Sequence, residues 1–278
     1  MIQDIGPDRL DNRFERRLPE VGDPVFCFRD GGLAARYDPK ARELSFPTRE
    51  DFPEEAGFVY LFSLADRVWF LAEENVPLPS GWALLPMAEI RQAPLRAHRE
   101  IFAVYTAWHL HHWIENSRFC GACGSRTVFA EDERARVCPA CGNRIYPRIN
   151  PAVIVGVRNG ERILLTRYRG GYRHNALIAG FTEIGETLEE TVRREVMEEA
   201  GIRVRNIRYY KSQPWGIADD SLAGFFCEVD GDDTIRRDDR ELQSAVWTER
   251  QDVELQPNDY SLTNEMMMLF REGRDPRD

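Results

Sequence analysis

Four of the six cysteines stand in two C-x-x-C pairs, Cys120 and Cys123 in FCGACGS and Cys138 and Cys141 in VCPACGN, with fourteen residues between the pairs. Four thiolates at this spacing can close around one ion as a tetrahedron, the geometry of a structural zinc site. Four protein ligands leave no position open for water, so the chemistry of a zinc held here is architectural and not catalytic. Gly124 and Gly142 follow the second cysteine of each pair, where a tight turn requires a positive φ that glycine adopts cheaply. Cys27 and Cys227 stand alone. His109, His111 and His112 lie just upstream; with the cysteines sufficient as ligands, these read as surface or packing residues.

A second constellation fills residues 180–202, GFTEIGETLEETVRREVMEEAGI. It follows the pattern G-x5-E-x7-R-E-U-x-E-E-x-G-U, with U aliphatic, at Gly180, Glu186, Arg194, Glu195, Val196, Glu198, Glu199, Gly201 and Ile202. At background residue usage such a match has a chance on the order of 10^-8 to 10^-9 per starting position. Glu195, Glu198 and Glu199 are i, i+3 and i+4 on a helix, so their carboxylates converge on one face. Three like charges at that distance repel, and a hard divalent cation removes the conflict. Mg2+ or Mn2+ prefers oxygen ligands and shares them with phosphates, so this face is expected to bind a metal-bound pyrophosphate. Glu199 is the first candidate to orient or deprotonate an attacking water. Glu189 and Glu190 fit a solvated helix face, and Glu186 with Arg194 fits a brace between loop and helix.

A third segment, SQPWG at 212–216, sets an amide able to read a base or ribose beside a large aromatic plane. Packing is the competing reading of Trp215. Arg167, Arg169, Arg173 and His174 form a basic stretch before the glutamate segment, available to phosphates or to solvent.

Elements must hold these residues in place. The 278 residues suggest about two domains at the usual ~150 residues each. Residues 1–20 are polar and proline-flanked and read as a loose or draped arm. VFCFR, RELSF, and the pair 57–64 and 67–73 joined by Ala65-Asp66 read as strands, the pair as a hairpin. From Pro94 the pattern becomes helical, with Ile101, Val104, Tyr105 and Trp108 on one stripe, ending near Asn116-Ser117. After the cysteines, residues 151–169 read as two apolar strands around Asn159-Gly160, a strong hairpin signal. A helix at 187–200, strands in IRYYKSQ and LAGFFCEV, and a helix around 261–271 follow. The chain carries 37 basic against 47 acidic residues, a net charge of -10, which disfavours a bare nucleic-acid-binding surface. No apolar run reaches the ~20 residues of a membrane span, and no signal core opens the chain, so the cytoplasm is the expected location.

The glutamate segment resembles the Nudix box. That resemblance implies a Nudix fold of the α/β (α+β) class: an αβα sandwich with a mixed sheet, here preceded by a zinc ribbon and a β-rich N-terminal domain. The expected division is 1–93, a connecting helix over 94–117, a ribbon over 118–145, the Nudix domain over 146–272 and a tail over 273–278. With the ribbon and SQPW added, residues from about 95 to 272 are similar to the NADH pyrophosphatase (NAD diphosphatase) group of Nudix hydrolases. The group's activity is cleavage of NADH, and of NAD, to nicotinamide mononucleotide and AMP, and some bacterial members remove NAD caps from RNA 5' ends; a homodimer is usual. By the same resemblance Tyr146 and Phe181 would stack on a base or ring, Gln213 and Ser221 would contact the dinucleotide, and Glu241 would join the metal ligands. Gly216-Ile217-Ala218 departs from the group's Pro-Phe-Pro, implying a looser loop and leaving the preferred dinucleotide open. Two alternatives stand beside this reading: hydrolysis of ADP-ribose or another nucleoside diphosphate derivative, and a nucleotide-sensing regulator whose ribbon binds DNA. The complete glutamate set and the lack of a basic stripe weigh against the regulator.

Overall fold

A computed structural model of the chain describes residues 1–170 and 174–276. They gather into two compact units: residues 2–148 with 216–219, and Met1 with 149–215 and the chain from 220 onward.

The first unit is β-rich. Phe58–Leu64 and Arg67–Ala72 form the expected antiparallel hairpin, with Ala65 in the left-handed region at the turn. Leu10–Asp11 and Val25–Phe26 extend it on either side. A second sheet holds Phe28–Arg29, Gly32–Asp38, Glu43–Ser45 and Ala83–Pro86. VFCFR is therefore not one strand: it breaks at Cys27 and serves both sheets. The N-terminal segment is draped rather than loose, since Ile2 is buried and Leu10 pairs with Leu64. The helix His98–Asn116 buries Ile101, Val104 and Tyr105 as its stripe requires, while Trp108 meets the Phe28 ring edge-on at 5.1 Å between centroids. The cysteine region forms a three-stranded antiparallel sheet of Val128–Phe129, Arg136–Val137 and Arg144–Ile145. It belongs to the same unit and is fastened there: the Arg134 guanidinium donates to the Asn12 and Leu61 carbonyls, and Arg118 pairs with Glu74 and Glu115.

The second unit is a mixed sheet between two helices. Strand order is Val204–Trp215, Asp220–Val229, Asn150–Asn159, Arg162–Tyr168, Leu242–Glu249. Asn150–Asn159 runs parallel to Asp220–Val229, and the other pairings are antiparallel. Asn159-Gly160 turns the chain as expected, but the two strands part after Arg158↔Ile163, and Ile178–Phe181 pairs with the freed edge at 152–155. Alternation along AVIVGV explains why that run is continuously apolar. Ala152 and Ile154 pack towards Met266, Met267 and Phe270 of the helix Leu262–Arg271. Val153, Val155 and Val157 pack on the opposite face with Val192 and Val196 of the helix Leu188–Ala200. Each such side chain contributes about 1.5–3 kcal/mol on full burial, and a strand buried on both faces cannot afford polar alternation. Met1 is buried in the first of these clusters.

Candidate active site

The helix Leu188–Ala200 is fixed at both ends by its own sequence. Thr187 caps it, accepting from the Glu190 N–H at 3.2 Å, while the Glu190 carboxylate accepts from the Thr187 N–H at 2.8 Å. This capping box, not bare solvation, is the role of Glu190. Gly201 ends the helix in the left-handed conformation at φ 69, where an added Cβ would also lie 2.7 Å from Arg236 Cβ.

Between those ends Val192 and Val196 dock on the sheet, and the rotation they impose sets the glutamates. Glu199 is 2% exposed, the Glu195 side chain 12% and the Glu198 side chain 59%. Burial pushes the Glu195 carboxyl above the usual carboxylate range and Glu199 up to about 8, and the nearby Glu241 charge adds to both. Glu241 itself is exposed, with its carbonyl accepting from the Arg169 N–H at 2.9 Å. Gly180 allows the close approach of Glu195, since a Cβ there would fall 2.0 Å from the carboxylate.

Arg194 does more than brace. Its guanidinium grips Glu186 bidentately at 2.6 and 2.9 Å, and also donates to Glu195 at 2.7 Å, Glu198 at 3.1 Å and the Phe181 carbonyl at 2.9 Å. That contact holds the Glu186 carboxyl down to about 2. The helix thus carries part of its own countercharge, which sequence spacing alone did not suggest. Tyr168 was also missed. Its hydroxyl lies 3.2 and 3.1 Å from the two Glu199 oxygens and accepts from the Ala179 N–H at 3.1 Å. Strand alternation from Leu164 places residue 168 on the side of the helix, which is the signal available in the sequence.

A hard divalent cation suits this face: two carboxyls raised by burial and by mutual charge, with a further glutamate adding to that field, gain most from a positive ion. Glu195, Glu198, Glu199 and Glu241 could hold it. Among the described residues only the cysteine set has all its ligand atoms within 4.8 Å of one another; the glutamates share a face without closing to that distance, as repulsion and the interposed Arg194 dictate.

The cysteines fit zinc. Cys120–Cys141 and Cys123–Cys138 approach at 3.7 and 3.4 Å between sulfurs. Gly124 and Gly142 take φ of 75 and 77 at the knuckle turns. The Ala122 N–H, together with the Asn143 amide, draws the Cys120 thiol down to about 6, towards the thiolate a metal needs. The three histidines are otherwise engaged: His109 bonds the Arg148 carbonyl at 2.7 Å, His111 stacks on Phe28 with its pKa lowered to about 4 by burial, and His112 meets Asp219 at 3.1 Å.

The remaining expected residues fall into different situations. Phe181 and Tyr146 are 53% and 54% exposed, the first in the second unit and the second in the first unit, where its hydroxyl donates to Glu133 at 3.0 Å. Ser221 is exposed at the start of its strand. Gln213 corrects the expectation placed on it. It is fully buried, its amide donating to the Tyr260 carbonyl and accepting from the Leu262 N–H, each at 2.7 Å; both ends are occupied by main chain, so this side chain fastens the entry to the helix Leu262–Arg271. Trp215 packs against the cluster around Met266, the packing reading. Nor is Gly216–Asp219 a loosened loop. A Cβ on Gly216 would lie 2.1 Å from the Tyr105 carbonyl oxygen, and Asp219, at φ 61, accepts from His112. Glycine is required there because the main chain rests directly on the helix His98–Asn116. Arg167 donates to Asn175 and Arg169 to the Asp239 carbonyl; Arg173 lies outside the described residues.

A mixed sheet between two helices, with a capped helix presenting Glu195, Glu198 and Glu199, defines a Nudix-fold protein, and residues 148–270 match the NUDIX domain family. Residues 115–146 match the NADH pyrophosphatase zinc ribbon domain, so a region matching this ribbon directly precedes the region matching the NUDIX domain. It is similar to proteins named NAD-capped RNA hydrolase NudC. The one from Haemophilus influenzae is 39% identical over 142 residues, 50% of this chain and 53% of that protein. The one from Pectobacterium atrosepticum is 44% identical over 138 residues, 49% and 52%. The one from Photobacterium profundum is 41% identical over 145 residues, 51% and 53%. The matched region spans about half the length of these curated relatives.

Proposed function

We propose that the chain hydrolyses the pyrophosphate bond of NADH, and of NAD, to nicotinamide mononucleotide and AMP. The observation that carries this reading is the presence, in one chain, of an NADH pyrophosphatase zinc ribbon and a complete glutamate face on a capped helix. Mg2+ or Mn2+, held by Glu195, Glu198, Glu199 and Glu241, supplies neutralisation of phosphate charge and a more acidic water. Glu199 takes the proton of the attacking water; a carboxyl near pKa 8 before a cation is bound is suited to general-base work at neutral pH. Arg194 keeps Glu195 and Glu198 in position, and Glu186 keeps Arg194. The water oxygen bonds to the adenylyl phosphorus, the bond from that phosphorus to the bridging oxygen breaks, and the mononucleotide leaves with the bridging oxygen. Phe181 offers an exposed ring for stacking, with the Ser221 hydroxyl near the same end of the sheet, and Tyr146 offers a second exposed ring from the other unit. Zinc at Cys120, Cys123, Cys138 and Cys141 holds the ribbon.

Similarity to proteins named NAD-capped RNA hydrolase extends the proposed substrate to NAD-capped RNA 5' ends, a reading that leaves the reacting bond unchanged. A homodimer acting in the cytoplasm completes the proposal; among the described residues no helix is long and apolar enough to cross a membrane. Chromatography of the products from NADH, NAD, ADP-ribose and a diadenosine polyphosphate tests it. NADH should give the highest kcat/KM, and faster turnover of ADP-ribose would refute the dinucleotide assignment.

A further inference from the structure

We propose that Tyr168 is a positioning residue that fixes the Glu199 carboxylate for metal and water. The inference deepens the reading above and rests on Glu199 belonging to the metal-binding face. Tyr168 ends the strand Arg162–Tyr168, where the pairing register with Leu242–Glu249 shifts between Arg167 and Tyr168. Alternation along the strand from Leu164, which packs with Val192 and Val196, places the phenol on the side of the helix Leu188–Ala200. The direction of the hydroxyl proton follows from its neighbours. The Ala179 N–H, 3.1 Å away, takes one lone pair of the phenol oxygen, and an N–H can only donate. The hydroxyl proton is therefore left for Glu199, whose two oxygens lie 3.2 and 3.1 Å away. Ala179 in turn is held by the pairing of Ile178–Phe181 with Asn150–Asn159. A rigid strand therefore sets the phenol, and the phenol sets the carboxylate. Glu199 is 2% exposed, so water cannot readily replace this donor.

Groups that orient a metal ligand in this way typically cost about 10- to 100-fold in metal affinity or activity when removed. The test uses the full zinc-loaded chain, with Mn2+ titrated by electron paramagnetic resonance in the absence of any nucleotide, for wild type, Tyr168→Phe, Glu199→Gln and the double variant. Tyr168→Phe should weaken Mn2+ binding by about 10-fold or more, while the double variant should bind within twofold of Glu199→Gln alone, since the hydroxyl acts through that carboxylate. In parallel, kcat for NADH should fall in Tyr168→Phe with KM within twofold of wild type, again without further loss in the double variant. A Tyr168→Phe protein that binds Mn2+ within twofold of wild type, or a double variant whose loss is the product of the two single losses, would overturn the inference. Should wild type release no AMP from NADH, the substrate reading fails, and the nucleotide-free Mn2+ arm still decides the role of Tyr168.

Discussion

Glu199 shows how burial shifts the proton equilibrium of an ordinary side chain. Its carboxyl is packed between the helix and Tyr168, with Glu195 and Glu241 adding like charge, and its pKa rises from 4.5 to about 8. In the chelated protein this has a consequence for stability. The folded chain keeps a proton that the unfolded chain has released between about pH 4.5 and 8, so the folded state is favoured below that window and loses ground as pH rises through it. The loss amounts to at most about 4–5 kcal/mol. Thermal melts in EDTA should therefore show Tm falling from pH 5 to 8 more steeply in wild type than in Glu199→Gln, and Mg2+ should restore wild type at the alkaline end. Equal slopes in the two proteins would remove Glu199 as the titrating group. At this scale the sequence was legible where a residue's partner is local. The spacing of Glu195, Glu198 and Glu199, and the knuckle glycines, depend on neighbours within a few positions. Tyr168 and Gln213 depend on partners 31 and 47 residues away in the chain. For Gln213 the resemblance of SQPW suggested a ligand where the fold supplies main chain.

Elements extend the same lesson. The helices His98–Asn116 and Leu188–Ala200 were readable because helical spacing is a local property, although His98–Asn116 also buries Phe102 and Ala103 off the expected stripe. The inserted strand Ile178–Phe181 and the bridging role of VFCFR were not, since strand pairing is decided by the sheet. Gly216 is the sharpest case. The resemblance implied slackness here; in the fold its main chain rests on the Tyr105 carbonyl. A Gly216→Ala chain must move backbone and not a flexible side-chain end. We expect a loss of about 1–3 kcal/mol, read as a lower denaturation midpoint with an unchanged slope. A variant as stable as wild type would show that the contact is not close in solution.

For the molecule as a whole, the β-rich strands, the long helix and the ribbon gather into one compact unit, in which Arg118 and Arg134 tie the ribbon to the strands. A metal at the four cysteines therefore supports more than a small appendage. Elemental analysis of unchelated protein should find about one zinc per chain, and Cys138→Ser, which removes a fully buried ligand, should lower Tm. A zinc-free protein of unchanged stability would contradict the ribbon assignment. The net charge of -10 also bears on the proposed substrate: a dinucleotide polyanion would have to be met by cations and by local arginines against a repelling field.

In the proposed reaction this glutamate face directs water to the adenylyl phosphorus of NADH. Hydrolysis of NADH in oxygen-18 water with Mg2+, followed by mass spectrometry of both products, tests it most directly. The label should appear on AMP and not on the reduced mononucleotide, and Glu199→Gln should form both products at least about 100-fold more slowly. Label on the mononucleotide, or near-native turnover by Glu199→Gln, would contradict the account.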